Sequence, residues 1–198
     1  MAEDLPLLPP SFPLETPAVL KKAARAHRFL AELKGRCRAI PNQGILISTL
    51  ALQEAKDSSE IENIVTTQDE LFREDLESSP ATGLTKGDAA KEVRNYAQAL
   101  RTGFELVRDR SLLTANDLVR VQEELERNRA GFRRLPGTNL VNDRTGKVVY
   151  TPPQDYDTII ALMANLERFI NDDSLLDADP LVKMAVIHYQ FESIHPFY

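Results

Sequence analysis

The chain has 198 residues, of which 42% are hydrophobic and 27% are charged, and its net charge is −6. This composition is typical of a globular protein that buries a sizeable core, and it excludes a disordered chain. The acidic balance argues against a nucleic-acid-binding protein, and a single cysteine, Cys37, excludes an intrachain disulfide and cysteine-based zinc sites. An acidic N-terminus and the lack of an apolar run of roughly 20 residues predict a cytoplasmic protein without a signal peptide or membrane span.

The N-terminal segment is rich in proline. Residues 5–17 contain five prolines among leucine and phenylalanine. Such a segment cannot be helical, so we predict an extended arm that lies along the body of the protein or of a neighbouring molecule. Thr16 and Pro17 then supply the cap and the first-turn proline of a helix that ends near Gly35.

Apolar spacing predicts further helices along the chain. We expect one that begins after Asn42, followed through residues 56–64 by a continuation or a separate short helix, and one over residues 68–76. After a loop over residues 78–83 come a long amphipathic helix over residues 88–110 and one that begins at Thr114. A turn cluster at residues 142–146, with β-forming residues on both sides, predicts a β-hairpin. Helices return over residues 156–170 and after Asp179-Pro180. The predicted fold is therefore all-α with one β-hairpin.

The last predicted helix leads to a histidine. Residues such as Leu181 and Ile187 predict a buried, nearly all-apolar helix, on which His188 is a core histidine or one that supports a site. Because His195 precedes Pro196, its backbone is driven out of the helical conformation and its ring projects from a helix end. This position suits a general base. By pattern alone, however, a histidine so placed is more often a solvated residue.

The string Ile194-His195-Pro196-Phe197-Tyr198 resembles the opening of the Fic motif. Blocks typical of the same family occur upstream in the same order; they are Ala130-Gly131-Phe132-Arg133, Pro136-Gly137-Thr138, Tyr150-Thr151-Pro152-Pro153, residues 162–170 and residues 179–185. The resemblance covers nearly the whole chain, with an N-terminal helical region over residues 1–85 and a Fic domain over residues 86–198. It implies a protein adenylyltransferase, which transfers AMP from ATP to a hydroxyl side chain of a target protein.

The resemblance also implies how the site works. His195 would deprotonate the target hydroxyl, whose oxygen then attacks the α-phosphate of ATP. In the family the motif continues with an acidic residue that binds Mg²⁺, then Gly-Asn-Gly-Arg and a second arginine. None of these is among the 198 residues, so we expect the chain to be truncated within the motif and inactive by itself.

In Fic proteins the hairpin is a flap that pairs through its backbone with an extended stretch of the target. The resemblance assigns this docking role to Thr138, Asn139, Leu140, Val141, Val148, Val149 and Tyr150. Without the resemblance, a surface hairpin that only covers an edge is the simpler interpretation. The ring of Tyr150 could line an adenine pocket or merely contribute to packing.

The string Ser58-Ser59-Glu60-Ile61-Glu62-Asn63 has two interpretations. By pattern alone it is a solvated helical turn. The resemblance implies an inhibitory motif, with Ser58, Glu62 and Asn63 at its defining positions, in which the glutamate pairs with the last arginine of the Fic motif. Because that arginine is absent from this sequence, we expect Glu62 to be exposed or paired elsewhere.

A second class of function stays open from the sequence. The chain could be a non-catalytic regulatory or dimerisation module derived from a Fic protein. The apolar arm around Leu7 and Phe12 would then contribute to a homodimer interface. ATP binding separates the two hypotheses, because the module needs none.

Overall fold

The computed structural model describes residues 5–61, 88–142 and 144–198, with backbone only at 43–48, 59–61 and 88–90. Its helices are α1 (Pro17–Cys37), α2 (Gln43–Ile61), α3 (Asp88–Arg110), α4 (Ala115–Glu126), α5 (Tyr156–Asn171) and α6 (Pro180–Ile194), with a short 3-10 helix at Asp173–Leu175. Two strands, β1 (Leu140–Val141) and β2 (Val148–Tyr150), form an antiparallel pair. The predicted mainly helical fold with one β-hairpin is confirmed. The helix and loop predicted within residues 68–83 lie outside the described residues.

The chain forms two compact units. The first consists of residues 1–36, 112–119 and 130–198, and the second of residues 37–111 and 120–129. The sequence predicts a domain boundary after residue 85, which lies outside the described residues, and that boundary stays a prediction. No helix in the described part of the chain is long and apolar enough to cross a membrane.

Helices α5 and α6 form the centre of the first unit. α5 is amphipathic, and its buried face repeats every three or four residues through Ile159, Leu162, Met163, Leu166 and Phe169. This face packs with Ile194 of α6 and with Leu8 of the N-terminal arm. The apolar stripe of α5 is thus buried from two sides, which is why this helix forms where its periodicity predicts it.

The arm contains neither helix nor strand over residues 5–16 and packs as part of the first unit. The side-chain amide of Asn165 on α5 accepts a hydrogen bond from the backbone N–H of Leu8 at 2.8 Å and donates one to its carbonyl at 3.0 Å. Gln190 of α6 donates to the carbonyl of Pro6 at 2.9 Å. These bonds satisfy backbone groups that a chain without secondary structure would otherwise leave unpaired.

Side-chain caps define where the helices of the first unit begin. Asp155 accepts a hydrogen bond from the backbone N–H of Thr158 and caps α5. Asp179 accepts one from Leu181 and caps α6, with Pro180 in the first turn. Each of these caps stands where the sequence predicts a helix to begin.

One expectation about α6 is wrong. The helix was expected to be buried all round, but Met184 is 60% exposed, Tyr189 is 68% exposed and His188 is also exposed. Its core face consists instead of Val182, Gln190, Ser193 and Ile194, together with Lys183, whose ammonium group donates to Asp173 at 2.6 Å. An apolar composition on both faces does not tell which face packs, so His188 is not a core histidine.

In the second unit, α2 packs along α3. Ala55 and Val93 are fully buried, and Leu52, Tyr96 and Ala97 pack around them. Small side chains at this contact let the two helices approach closely. The apolar stripe predicted for α3 is therefore confirmed in its first half, whereas Phe104, near its end, is about half exposed.

Candidate active site

His195 lies immediately after the last residue of α6. Its backbone N–H still donates to the carbonyl of Phe191 at 3.0 Å, but its own dihedral angles are φ 46° and ψ 62°. The chain therefore leaves the helix at His195, as the following proline predicts, although into the left-handed region. A residue with a Cβ rarely adopts this conformation unless its surroundings impose it.

Arg133 supplies those surroundings. Its side chain is fully buried and donates from Nε to the carbonyl of His195 at 2.6 Å and from Nη2 to the carbonyls of Ile194, at 3.2 Å, and Pro153. Its backbone N–H donates to the carbonyl of Pro196 at 2.8 Å. The carbonyl end of a helix carries partial negative charge, which a buried guanidinium complements. Burial lowers the pKa of Arg133, but a guanidinium remains charged at physiological pH.

The residues after His195 are also held in place. The hydroxyl oxygen of Tyr198 accepts hydrogen bonds from the backbone N–H groups of Arg134 and Leu135, each at 2.9 Å. Both bonds lower the pKa of Tyr198, and the bond from Leu135 has the larger effect. The ring of Phe197 lies 5.2 Å from that of Phe132, a distance typical of packed aromatic pairs. The whole His195–Tyr198 segment is thus fixed against residues 132–135.

The hairpin presents an exposed apolar surface. Leu140 pairs with Tyr150 and Val141 with Val148, so β2 has one more residue than β1 between the two pairs, which is a β-bulge. Val149 is 65% exposed, and Val148, Leu140 and Val141 are exposed as well. The hairpin turns at Gly146, which has φ +64°. These strands therefore keep their side chains available for contacts beyond the unit.

Side-chain hydrogen bonds join the base of the hairpin to the end of α6 and to the following loop. Tyr150 donates from its hydroxyl to the carbonyl of Ser193 at 2.7 Å, two residues before His195. Gln154 donates to the carbonyl of Thr138 at 3.0 Å, and Thr151 to the side chain of Asn139 at 2.8 Å. Burial, more than any other cause, raises the pKa of Tyr150. The hydroxyl of Tyr150 thus holds hairpin and helix together, which favours the packing role over an adenine-lining one.

The residues assigned to an inhibitory motif are only partly described. Glu62 and Asn63 lie outside the described residues, so their assignment stays a prediction. Ser58 lies on α2 in the second unit, where its hydroxyl donates to Glu54 at 3.2 Å and accepts from Tyr96 at 3.3 Å.

The described residues do not supply a metal centre. Within residues 5–61, 88–142 and 144–198, no group of three or more histidine, cysteine, aspartate or glutamate side chains could hold a metal ion.

Sequence reasoning missed Arg133 as a contributor to the site. It stands inside one of the blocks that carried the family resemblance, but nothing in its neighbourhood indicates burial of its charge. Its partners are some 60 residues away along the chain. No local signal could have found it, because Arg129 and Arg134 stand close by in the sequence and only the folded chain brings the acceptors that a buried arginine needs.

Comparison with known proteins assigns the chain to a family. The model of the Fic/DOC family N-terminal region matches residues 20–105, and that of the Fic/DOC family matches residues 112–198. Together they cover most of the sequence, and the chain belongs to the Fic/DOC family. Members of this family generally transfer a nucleoside monophosphate.

A solved structure shares the fold. The crystal structure of a Fic family protein from Desulfovibrio desulfuricans G20 is 22% identical in sequence and matches with a TM-score of 0.65 over 95% of this chain. The match covers 54% of that protein, so this chain spans about half the length of the relative. At this identity the likeness extends to the fold alone.

Proposed function

We propose that the protein transfers AMP from ATP to a hydroxyl side chain of another protein, with His195 as the general base. The observation that carries the proposal is the left-handed His195, held by Arg133 at the end of α6 in the same unit as the exposed hairpin. The arrangement fits a base that must stand at a fixed place beside a docked substrate.

The proposed reaction needs one proton transfer and one displacement. A ring nitrogen of His195 takes the proton of the target hydroxyl as the oxygen attacks the α-phosphorus of ATP. The new oxygen–phosphorus bond forms while the bond to the pyrophosphate breaks. The oxygen, phosphorus and leaving group must be in line, so the position of the base matters more than its strength. ATP and Mg²⁺ belong to this proposal as substrate and cofactor.

The hairpin is proposed as the surface that aligns the target. Strand-to-strand pairing through backbone groups aligns an extended peptide without requiring a particular sequence. The exposed valines at positions 141, 148 and 149 would cover the side chains of that peptide. The hydrogen bond of Tyr150 to Ser193 connects this surface to the helix that ends at His195.

Autoinhibition by Ser58, Glu62 and Asn63 is part of the same proposal. A glutamate that pairs with a phosphate-binding arginine would prevent the productive placement of ATP. Glu62→Gly in the full-length gene product should then raise the rate of AMP transfer. A rate equal to that of the wild type would contradict the inhibitory assignment.

The test of AMP transfer uses the full-length gene product, a lysate as the source of targets, and ATP labelled on either the α- or the γ-phosphate. We expect label from the α-position that depends on His195, together with the mass of one AMP on a hydroxyl residue, whereas label from the γ-position comes from kinases of the lysate and does not depend on His195. His195→Ala should abolish the labelling, whereas His188→Ala, an exposed histidine on the same helix, should not. Label from the γ-position that depends on His195, or undiminished α-labelling by the His195 variant, would disprove the proposal.

A homodimer is the second proposed property, and exposed apolar side chains favour it. Leu7 and Phe12 of the arm, and Phe29 and Leu33 of α1, are each about half exposed or more. A second copy of the chain is the proposed partner for this surface. Sedimentation velocity should show a dimer that Phe12→Asp converts to a monomer. A monomeric wild type at high concentration would disprove it.

A further inference from the structure

The carbonyl groups of the last two residues of α6 and of the two residues that follow it are paired with two residues from elsewhere in the chain. The last carbonyls of a helix have no partner within the helix, so something else must bind them. Here Tyr150 donates to the carbonyl of Ser193, and Arg133 donates to those of Ile194, His195 and Pro196. Four successive carbonyls are thus held in a row.

Two of these bonds lie on either side of the His195 Cα. The carbonyl of Ile194 belongs to the peptide plane before His195, and the carbonyl of His195 belongs to the plane after it. Since φ and ψ describe how these two planes are rotated about the Cα, holding both carbonyls sets both angles. They in turn fix the direction in which the imidazole leaves the backbone.

The conformation that is held is not the one that His195 would prefer. A residue before proline favours extended dihedral angles, whereas His195 has φ 46° and ψ 62°. The two hydrogen bonds oppose a relaxation of the backbone towards the extended region, which would carry the ring away. Arg133 is itself fully buried, so it has little freedom to follow such a movement.

We propose that Arg133 is the positioning residue for His195, which it holds in the left-handed conformation by binding the carbonyls on both sides of it. The inference deepens the function proposed above and rests on it for its catalytic consequence. The hydrogen bonds of the Arg133 side chain go to backbone carbonyls, so in this role it acts through the backbone of His195.

The geometry of the guanidinium is essential to this role. Nε and Nη2 form a rigid planar fork, and they reach the carbonyls of His195 and Ile194 together. Lysine keeps the charge at the helix end but has a single nitrogen on a flexible stem. Arg133→Lys therefore removes the pair of hydrogen bonds that the fork makes while it keeps the positive charge.

The first experiment measures the position of the ring without any activity. The chain has three histidines, so the ring signals of His195 in a proton–nitrogen NMR spectrum can be assigned with the His195→Ala variant. Arg133→Lys should shift or broaden the His195 signals and leave those of His27 and His188 in place. Unchanged His195 signals in a folded Arg133→Lys protein would overturn the proposal.

Two controls separate positioning from stability. Phe169→Leu weakens the same core beside the first turn of α6, whereas His195 follows the last residue of that helix. The ring of Phe169 lies 5.4 Å from the ammonium of Lys183, which stands in that first turn. This variant should lower the melting temperature and leave the His195 signals unchanged. Arg127→Lys, an exposed arginine of the second unit, should change neither. If Phe169→Leu moves the His195 ring as much as Arg133→Lys does, the role of Arg133 is merely structural.

A measurement on the wild type covers the case in which Arg133→Lys does not fold. A coupling through the hydrogen bond between the Nε of Arg133 and the carbonyl carbon of His195 should be detectable, together with slow exchange of the Nε–H with solvent. Absence of the coupling, with rapid exchange, would overturn the proposal independently of any variant.

The second experiment measures catalysis by the full-length gene product. Arg133→Lys should lower kcat for AMP transfer on the order of 100-fold, because a small displacement of a catalytic group is that costly, and should leave KM for ATP within about twofold. A displaced His195 ring with unchanged kcat would overturn the catalytic role of Arg133. A wild type without AMP transfer would instead refute the proposed function, while the NMR result still decides whether Arg133 holds His195.

Discussion

Tyr150 and Arg133 stabilise the candidate site through hydrogen bonds from side chains to backbone carbonyls. Such bonds contribute on the order of 1 kcal/mol each when the alternative is a carbonyl hydrated by water, and more when the carbonyl would be left buried and unpaired. Ser193, whose carbonyl binds Tyr150, is buried. Loss of a hydrogen bond from Tyr150 or Arg133 should therefore cost more free energy than loss of one in an exposed loop.

Removal of the Tyr150 hydroxyl tests this directly. Tyr150→Phe keeps the ring but leaves the carbonyl of Ser193 without its donor, so we expect the free energy of unfolding to fall by about 1 kcal/mol. Urea denaturation measures the change. Tyr189→Phe is the matched control, because Tyr189 is exposed on α6, the helix that contains Ser193. This variant should change the free energy of unfolding little. Equal effects of the two variants would show that the bond to Ser193 contributes nothing.

Asp155 predicts how stability responds to acid. Hydrogen bonds from the backbone N–H and then the hydroxyl of Thr158 hold its pKa below the ordinary value of 3.8. Because the folded state favours the carboxylate, the cap stabilises the protein above pH 3.8 and is lost as the pH falls through the lower pKa of the folded state. The difference in unfolding free energy between the wild type and Asp155→Ala should therefore be full at neutral pH and shrink in acid.

Asparagine at the same position separates the charge from the cap. Asp155→Asn keeps an acceptor oxygen for Thr158 but does not titrate. The difference in unfolding free energy between this variant and Asp155→Ala should therefore have the same value at neutral pH and below pH 3.8. A constant difference between the wild type and Asp155→Ala over that range would contradict the role assigned to the carboxylate.

At the scale of single elements, two glycines give opposite predictions for the same substitution. Gly146 has φ +64° in the hairpin turn, a conformation that strains any residue with a Cβ. Gly35 lies in α1, and a Cβ there would meet no atom within 4 Å. We expect Gly146→Ala to destabilise the hairpin and Gly35→Ala to raise the unfolding free energy by up to about 1 kcal/mol.

Hydrogen exchange distinguishes the two effects. Amides of β1 and β2 should exchange faster in Gly146→Ala, while those of α5, the core helix, keep their protection. In Gly35→Ala the amides of the last turns of α1 should exchange more slowly. Unchanged exchange in the hairpin of Gly146→Ala would show that the turn tolerates a Cβ.

Sequence patterns predicted the positions of the helices and strands well. The helix starts at Pro17 and Pro180, and the two strands on either side of the turn, follow from caps, prolines and periodicity, which are local. The exposed face of α6 was not predicted, because Met184 and Ile187 are equally apolar and only the packing of α5 selects between them. The burial of Arg133 was not predicted either, since its acceptors are carbonyls that become unpaired only once α6 has ended at His195.

At the scale of the whole chain, residues from both ends meet in the first unit. The backbone of Leu8 binds Asn165, 157 positions further along the chain, and Pro6 binds Gln190 across 184 positions. Contacts over such separations form only after loop closure, so they must be strong enough to offset its entropy. Leu8 is nearly buried in the core with Ile159 and Ile194, whereas its neighbour Leu7 is 60% exposed.

This pair of leucines shows whether the arm is part of the core or a loose attachment. Leu8→Ala removes buried apolar volume and should lower the free energy of unfolding by about 2–5 kcal/mol, whereas Leu7→Ala should change it by no more than about 0.5 kcal/mol. Urea denaturation monitored by circular dichroism measures both. If Leu8→Ala unfolds like the wild type, the arm does not pack as described. If the two variants are equally destabilised, burial of Leu8 is not what holds the arm. A large loss for Leu8→Ala alone would mean that the α5–α6 core, and with it the end of α6 at His195, depends on a segment that begins the chain.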